Sequence, residues 1–305
     1  MENIIDAISP ELIKNELTEK YLLRKTNFGN NLIYDINAHE APNTMQELGR
    51  LREITFRDAG GGTGKKVDID EYDTSENPFR QLIVWNPEEE EIVGSYRYKL
   101  GSTMSFDDNG QPISPTSSLF RYSEKFIQEY LPYTIELGRS FVQTKYQPSV
   151  NPRKGLFALD NTWDGLGALV VHNPEMKYFF GKMTMYNSYP AMARDYILYV
   201  LEKHFEDKDK LLAPTELKDI IADRAQLAEI FNEEEFSEDY KILVNKVREH
   251  NVHVPPLINI YMGLTPTMRF FGSSANIDFG PVEESAILIT IDDIYEAKKE
   301  RHLKF

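Results

Sequence analysis

Along most of the chain, apolar residues either alternate with polar ones or return every three to four positions, and Gly, Pro and Asn punctuate the blocks. SPELIKNELT predicts a short peripheral helix with Ser9 as N-cap and Pro10 at its first position. NLIYDI, residues 31–36, predicts a strand. TMQELGRLREITFRD predicts a helix whose apolar positions, Met45, Leu48, Leu51 and Thr55 to Phe56, run into the glycines at 60–62. FRQLIVW and EIVGSYRYKL predict an antiparallel hairpin turning at NPEEE. A polar stretch at 101–118 and a short helix near SEKFIQEYL precede YTIELGRSFVQTKYQ, residues 133–147, where Ile135, Leu137, Phe141 and Val142 are the apolar positions of a half-buried strand. The loop QPSVNPRKG, a long apolar helix from 156 to 171, the strand KYFFGKMTM and the amphipathic helix PAMARDYILYVLEKHF follow. An acidic stretch, VPPLINIYMGL and a closing strand, SAILITI, complete the pattern, with no internal repeat.

This order predicts an α/β fold, an α+β mixed sheet with helices on both faces. The expected organisation is an N-terminal helical extension (1–30), a core (31–205), an acidic helical insertion (206–250) and a C-terminal segment completing the core sheet (251–305). With 305 residues, 41% of them hydrophobic, the chain can bury a sizeable core. It has no cysteine, which excludes disulfides, thiolate metal sites and cysteine nucleophiles. The first twenty residues are charged and carry no secretory pattern, and no apolar run spans a bilayer, so a cytoplasmic protein is expected. A net charge of -15 argues against broad binding to nucleic acid or anionic lipid. Residues 206–250 hold 13 Asp or Glu against 7 Lys or Arg and are expected to form a solvated helical arm.

Two opposite charges, Glu136 and Arg139, interrupt the alternation of the strand at 133–147. Buried charges are costly unless paired or used, so they form either a structural ion pair or part of a site. Residues three apart on a regular strand face opposite sides, so pairing needs a bulge, and a bulge would free backbone N–H groups as oxyanion donors. Arg97 and Arg139 carry guanidinium forks suited to a carboxylate or a phosphate. VDIDEYD offers Asp68, Asp70 and Asp73 but lacks the glycine-bearing spacing of a calcium loop, so no metal is expected. AGGGTGKK has Gly64 and Lys65, yet Lys66 stands where a phosphate-binding loop needs Ser or Thr, and a helix precedes it. His250 and His253 have no third ligand nearby and are expected to face solvent.

Four patterns recur in order: LREITFRD with Arg52 and Phe56, VDIDEYD, IVGSYRY with Arg97, and IELGRSFVQTKYQ with Glu136 and Arg139. They resemble the acyl-homoserine-lactone synthase and ornithine-lipid N-acyltransferase branch of the GNAT superfamily. The closer resemblance is to the lipid N-acyltransferases, often labelled hemolysin-like. VPPLINIYMGL and NIDFG resemble their C-terminal segments, so the likeness spans residues 45–291 without the acidic stretch. Two departures stand out. NPRKG has Arg153, Lys154 and one glycine, Gly155, where the family loop is rich in Gly or Arg. GGGTGKK replaces the tryptophan that lactone synthases carry after the first helix.

The resemblance implies a GNAT fold with a helical acidic insertion, in which the central strand and the following helix splay apart to admit a pantetheine thioester. It implies transfer of a fatty acyl group, 3-hydroxylated or not, to the amine of a small amino acid, whether glycine, ornithine, serine or another amine, giving a lyso-aminolipid. No tightly bound cofactor is implied. The co-substrate is acyl-acyl-carrier-protein or acyl-CoA, and the partner is acyl carrier protein, with transient peripheral contact to the inner membrane. By resemblance Glu136 orients and deprotonates the amine, and Arg139 joins it as catalytic. Arg52, Phe56, Asp68, Asp70, Asp73 and Arg97 bind the acceptor, and Phe141, Val142, Arg153, Lys154 and Gly155 bind the donor. Lys145, Arg153, Lys154, Lys177 and Lys182 are expected to form a basic docking patch, with Tyr178, Phe179 and Phe180 lining an acyl channel. An acetyl-CoA-dependent N-acetyltransferase and a non-catalytic scaffold are the rival readings.

Overall fold

The computed structural model describes residues 1–155 and 157–303. In chain order the elements are α1 (Pro10–Glu16), β1 (Leu22–Lys25), β2 (Leu32–Ile36), α2 (Pro42–Asp58), α3 (Glu71–Thr74), β3 (Arg80–Asn86) and β4 (Glu91–Leu100). Then come β5 (Phe120–Tyr122), β6 (Thr134–Val142), α4 (Pro152–Gly155), α5 (Ala158–His172), β7 (Tyr178–Tyr186) and α6 (Ala191–Phe205). The chain continues through β8 (Leu212–Pro214), α7 (Arg224–Ile230), α8 (Phe236–Arg248), α9 (Pro256–Met262), β9 (Arg269–Asn276), β10 (Val282–Thr290) and α10 (Glu296–His302). The first residue of the expected long helix, at 156, lies outside the described residues, and the helix itself is α5. The helix expected near SEKFIQEYL is a wide π-type turn, Phe126–Tyr130, closed by Leu131–Tyr133. Among the described residues no helix is long and apolar enough to cross a membrane.

Eight strands form one mixed sheet in the order β1-β2-β3-β4-β6-β7-β10-β9, and β5 pairs with β8 apart from it. Every neighbouring pair is antiparallel except β6 and β7, which are parallel and therefore need the crossover that α5 supplies. The register separates two faces. On one, Tyr96, Tyr98, Ile135, Leu137, Phe179 and Ile287 meet residues of α5, α6, α8 and α9 in the largest core. On the other, α2 covers Ile83, Trp85 and Phe141, while Phe120 and Phe126 cover Phe180, Ala286 and Leu288. Between these two apolar areas the same face carries Arg97, Lys99, Glu136, Lys182 and Glu284, placed by the pairings Lys99↔Glu136, Glu136↔Phe180, Lys182↔Ala286 and Thr184↔Glu284.

The acidic stretch is not the solvated arm that its charge suggests. Leu227, Phe231, Leu243 and Val247 sit in the largest core, so α7 and α8 each turn an apolar side inward and keep their acids outside. Asp239 is the exception, a buried carboxylate accepting from Lys203 at 2.6 Å and from His204 at 2.7 Å.

Candidate active site

The site begins as an irregularity in β6. Its register with β4 passes from Arg97↔Gly138 to Ser95↔Phe141, so three steps on β6 face two on β4, and Arg139 has a φ of 47°. This is a β-bulge, and the left-handed backbone costs a non-glycine residue about 1–2 kcal/mol. On its other edge β6 pairs with β7 only from Thr134 to Glu136. Beyond Glu136 the parallel strands part, and a cavity of about 90 Å³ opens between them. The splay lies between β6 and β7, not between the central strand and the following helix as the resemblance implies. Glu136, Arg97, Lys182, Glu284, Phe56 and Phe279 line the cavity from one sheet face, and Tyr96, Leu137, Leu257 and Tyr261 from the other. It is a slot through the sheet.

Glu136 is 2% exposed. Its Oε1 accepts from the Thr116 hydroxyl at 2.7 Å, and that hydroxyl accepts from Lys182 Nζ at 2.9 Å. Its Oε2 is buried with no hydrogen-bond partner among the described residues. Burial pushes the Glu136 carboxyl above its usual range, against the pull of Lys182, Thr116 and Arg97. On the other face the Tyr96 hydroxyl lies near Ser140 and Tyr261 without forming an aligned hydrogen bond, and burial raises its pKa.

The six charged motif residues Arg52, Asp68, Asp70, Asp73, Arg97 and Arg139 come together as one network. Arg52 Nη1 lies 3.3 Å from Asp73, Arg97 Nη1 lies 2.7 Å from Asp70 and 3.2 Å from Asp73, and Arg139 Nε lies 2.8 Å from Asp68. Gln81 donates to Asp73 at 2.9 Å and accepts from Arg52. Asp70 also caps α3, with reciprocal bonds to Asp73. Burial alone would raise the Asp73 carboxyl, but Arg97 and Arg52 hold it well below the usual range. Glu136 and Arg139 are not paired with each other; Arg139 turns to Asp68 and stacks over Phe279 at 4.5 Å. Phe56 packs edge-on against Phe279 at 4.9 Å and also lines the cavity.

The residues expected on the donor side are dispersed. Phe141 is core, edge-on to Phe56 at 6.3 Å beneath α2, and Val142 packs against the opposite core. Gly155 lies so close to the chain that a Cβ there would stand 2.6 Å from Pro148 N, which gives its glycine a packing reason. Lys154 pairs with Glu89 at 2.8 Å, Lys145 pairs with Glu91, and Arg153 is exposed.

Two expectations fail on geometry. The basic patch does not exist as one surface: Lys182 is inside the slot, while Lys177 sits at the Thr134 end of β6 and Lys145, Arg153 and Lys154 lie beyond its Val142 end. Phe179 and Phe180 belong to opposite cores and Tyr178 packs against one of them, so the aromatic run is packing, not a channel.

The glycine loop is filled from within. Glu53 accepts from the backbone of Thr63 at 3.0 Å and of Gly64 at 2.7 Å, so its own carboxylate occupies the N–H groups that a phosphate would need. His253 is exposed, and the His250 ring packs 5.8 Å from that of Tyr196.

Thr116 and Glu284 went unnoticed in the sequence. Glu284 had a signal: PVEESAILITI places a charge at an inward position of a strand, as IELGRS does.

Residues 51–153 match the acetyltransferase (GNAT) domain family. Over 304 residues, all of this chain, 56% are identical to a glycine N(alpha)-acyltransferase of Phocaeicola vulgatus, of which 93% is covered. The identity is also 56% to a glycine N(alpha)-acyltransferase of Bacteroides thetaiotaomicron, with 90% of that protein covered. No solved structure matches.

Proposed function

The chain belongs to the glycine N(alpha)-acyltransferase family of GNAT N-acyltransferases, and from that premise we propose that it moves a fatty acyl group from acyl carrier protein onto the amine of glycine, giving a lyso-aminolipid. The observation that carries this reading is the buried Glu136 carboxylate, with one unpartnered oxygen, at the point where β6 and β7 separate.

Glycine enters as an ammonium and must lose a proton before it can attack. Glu136 takes that proton, and a carboxyl raised by burial is a better base than an exposed one. The nitrogen lone pair then attacks the thioester carbonyl carbon and forms the C–N bond. As the C–S bond breaks, a second amine proton passes to the leaving thiol, and the proton on Glu136 returns to solvent. The bulge at Arg139 and Ser140 breaks the ladder where the developing oxyanion needs main-chain donors. The cavity is lined from both sheet faces, so in this reading the amine meets the carbonyl on the Glu136 side and the thioester lies on the Tyr96 and Tyr261 side. Arg139 positions Asp68 and Asp70 beside the bulge, and the arginine–aspartate network holds the acceptor side in shape.

The test is acylation of isotopically labelled glycine by the purified protein, with long-chain acyl-acyl-carrier-protein, long-chain acyl-CoA and acetyl-CoA compared. Labelled N-acylglycine in equal amount to released thiol, fastest with the carrier protein, is expected. Preference for acetyl-CoA over every long-chain donor overturns the lipid reading, and acylation of another amine in place of glycine overturns the acceptor.

A further inference from the structure

Glu284 is a second carboxylate in the slot, on β10, 5% exposed and lining the same cavity as Glu136. Its Oε2 stands 3.5 Å from Lys182 Nζ, an ion pair without a hydrogen bond, and has no hydrogen-bond partner among the described residues. The Oε2 of Glu136 also has no hydrogen-bond partner among the described residues, so two buried carboxylates each keep one oxygen without a hydrogen bond beside one cavity. Opposite Glu284 on β9, the buried Ser274 hydroxyl also has no hydrogen-bond partner among the described residues.

The charged groups around the slot are not equally satisfied. Arg52, Arg97 and Arg139 are matched by Asp68, Asp70 and Asp73, three cations against three anions. Glu136 and Glu284 have Lys182 between them, and its ammonium already gives a hydrogen bond to Thr116. Among the described residues neither carboxylate has an ammonium hydrogen-bonded to it, and a buried carboxylate oxygen without a hydrogen bond is costly in a way that a bound ammonium relieves. The neighbouring Lys99, cross-strand from Glu136, balances the formal charge, but its hydrogen bonds go to Asn77 and the Pro78 carbonyl and not to either glutamate.

We propose that Glu136 and Glu284 together form the ammonium subsite of the acceptor, with Glu284 as an acceptor-binding residue that holds the amine while Glu136 deprotonates it. This rests on the N-acyltransferase reading of the slot but not on glycine being the acceptor. The ammonium of a small amino acid donates one N–H to each carboxylate; the N–H held by Glu136 gives up its proton, and rotation of the amine about its C–N bond, with Glu284 still accepting, turns the freed lone pair to the thioester. Lys182 keeps the two carboxylates apart and anchors Thr116 against Glu136.

The experiment is steady-state kinetics of Glu284→Gln with acceptor and donor varied separately, using whichever amine the wild type acylates. Loss of a charge-assisted contact predicts a KM for the acceptor raised about ten- to a hundredfold, a KM for the donor within twofold of wild type, and competitive inhibition by methylammonium against the acceptor weakened in step. An unchanged acceptor KM, or equal rises for acceptor and donor, overturns the subsite. If Glu284→Gln does not fold, Glu284→Asp decides: a raised acceptor KM at an unchanged Tm supports the assignment, and an unchanged one overturns it. Acylation of a different amine by the wild type removes glycine from the proposed function and leaves this test intact.

Discussion

Arg52, Arg97 and Arg139 meet Asp68, Asp70 and Asp73 in direct ion pairs, whereas on the same sheet face Lys182 and Lys99 stand beside Glu136 and Glu284 while giving their hydrogen bonds to Thr116, Asn77 and the Pro78 carbonyl. Arg52, Arg97, Asp68, Asp73, Glu136 and Glu284 are buried and Asp70, Arg139 and Lys182 half-buried, and both groups are built from residue types that a sequence reading assigns to substrate. The first closes on itself: each aspartate has an arginine, and the arginines expected to grip an acceptor carboxylate are already gripped. The second leaves two carboxylate oxygens without hydrogen bonds beside a cavity. Direct pairing lets the first group act as a brace, and the unsatisfied oxygens make the second the candidate for a ligand.

The comparison breaks most visibly at Glu136. Glu136→Gln keeps shape and removes the base, so kcat/KM for acylation is expected to fall about 10²- to 10⁴-fold while Tm moves little. Because burial raises the wild-type carboxyl, activity should climb as pH rises through that raised value, and the Gln variant should lack this acidic limb. Gln activity equal to wild type would place the base elsewhere.

Asp73→Asn tests the other side, with stability as the readout. It removes one partner from a buried cluster, leaving Arg52 without its ion-pair partner and Arg97 with Asp70 alone, at a cost of about 3–5 kcal/mol. The folded-state pKa of Asp73 is depressed, so its contribution is present above the ordinary value of 3.8 and is lost as pH falls through the folded value. Wild type should therefore lose stability on acidification below about pH 4, and the Asn variant, already destabilised at neutral pH, should lose less over that window. Urea titrations at several pH values measure both.

The strand at 32–36, the β3–β4 hairpin and the helix at 42–58 were legible from their apolar patterns, and the strand at 134–142 was legible as far as its bulge, where the alternation changes face. The need for a bulge followed from the three-residue spacing of Glu136 and Arg139, and the bulge is present, although it turns Arg139 to Asp68 and not to Glu136. Other positions were not legible. Phe141, Phe179 and Phe180 read equally well as lining or as core, because a sheet covered on both faces buries alternate residues in different places. Glu284 reaches Lys182 only because β10, almost a hundred residues downstream, inserts beside β7, a pairing that no local pattern encodes. The charge of the acidic stretch concealed its apolar side because the sum over 206–250 ignores which face each residue takes.

The smallest expected effect concerns the surface beyond the slot. Lys145 and Lys154 are matched by Glu91 and Glu89 on the β3–β4 hairpin, so this region too is largely balanced. Arg153 is the contrast: it is exposed on the single turn of α4 and has no ion pair among the described residues. If acyl carrier protein, acidic as a class by the resemblance, docks beyond the Val142 end of β6, Arg153 is the cation left to steer it. One exposed charge in water is worth about 1 kcal/mol at contact, or roughly fivefold in rate. Arg153→Glu is therefore expected to lower kcat/KM for the acyl-carrier-protein donor about fivefold at low salt and by less at higher salt, since the Debye length shrinks to about 8 Å near physiological ionic strength. The same variant should leave the KM for the amine unchanged, because Arg153 lies outside the slot. Equal losses with acyl-acyl-carrier-protein and acyl-CoA would assign Arg153 to a phosphate common to both donors, and no loss with either would move the docking surface to another part of the molecule.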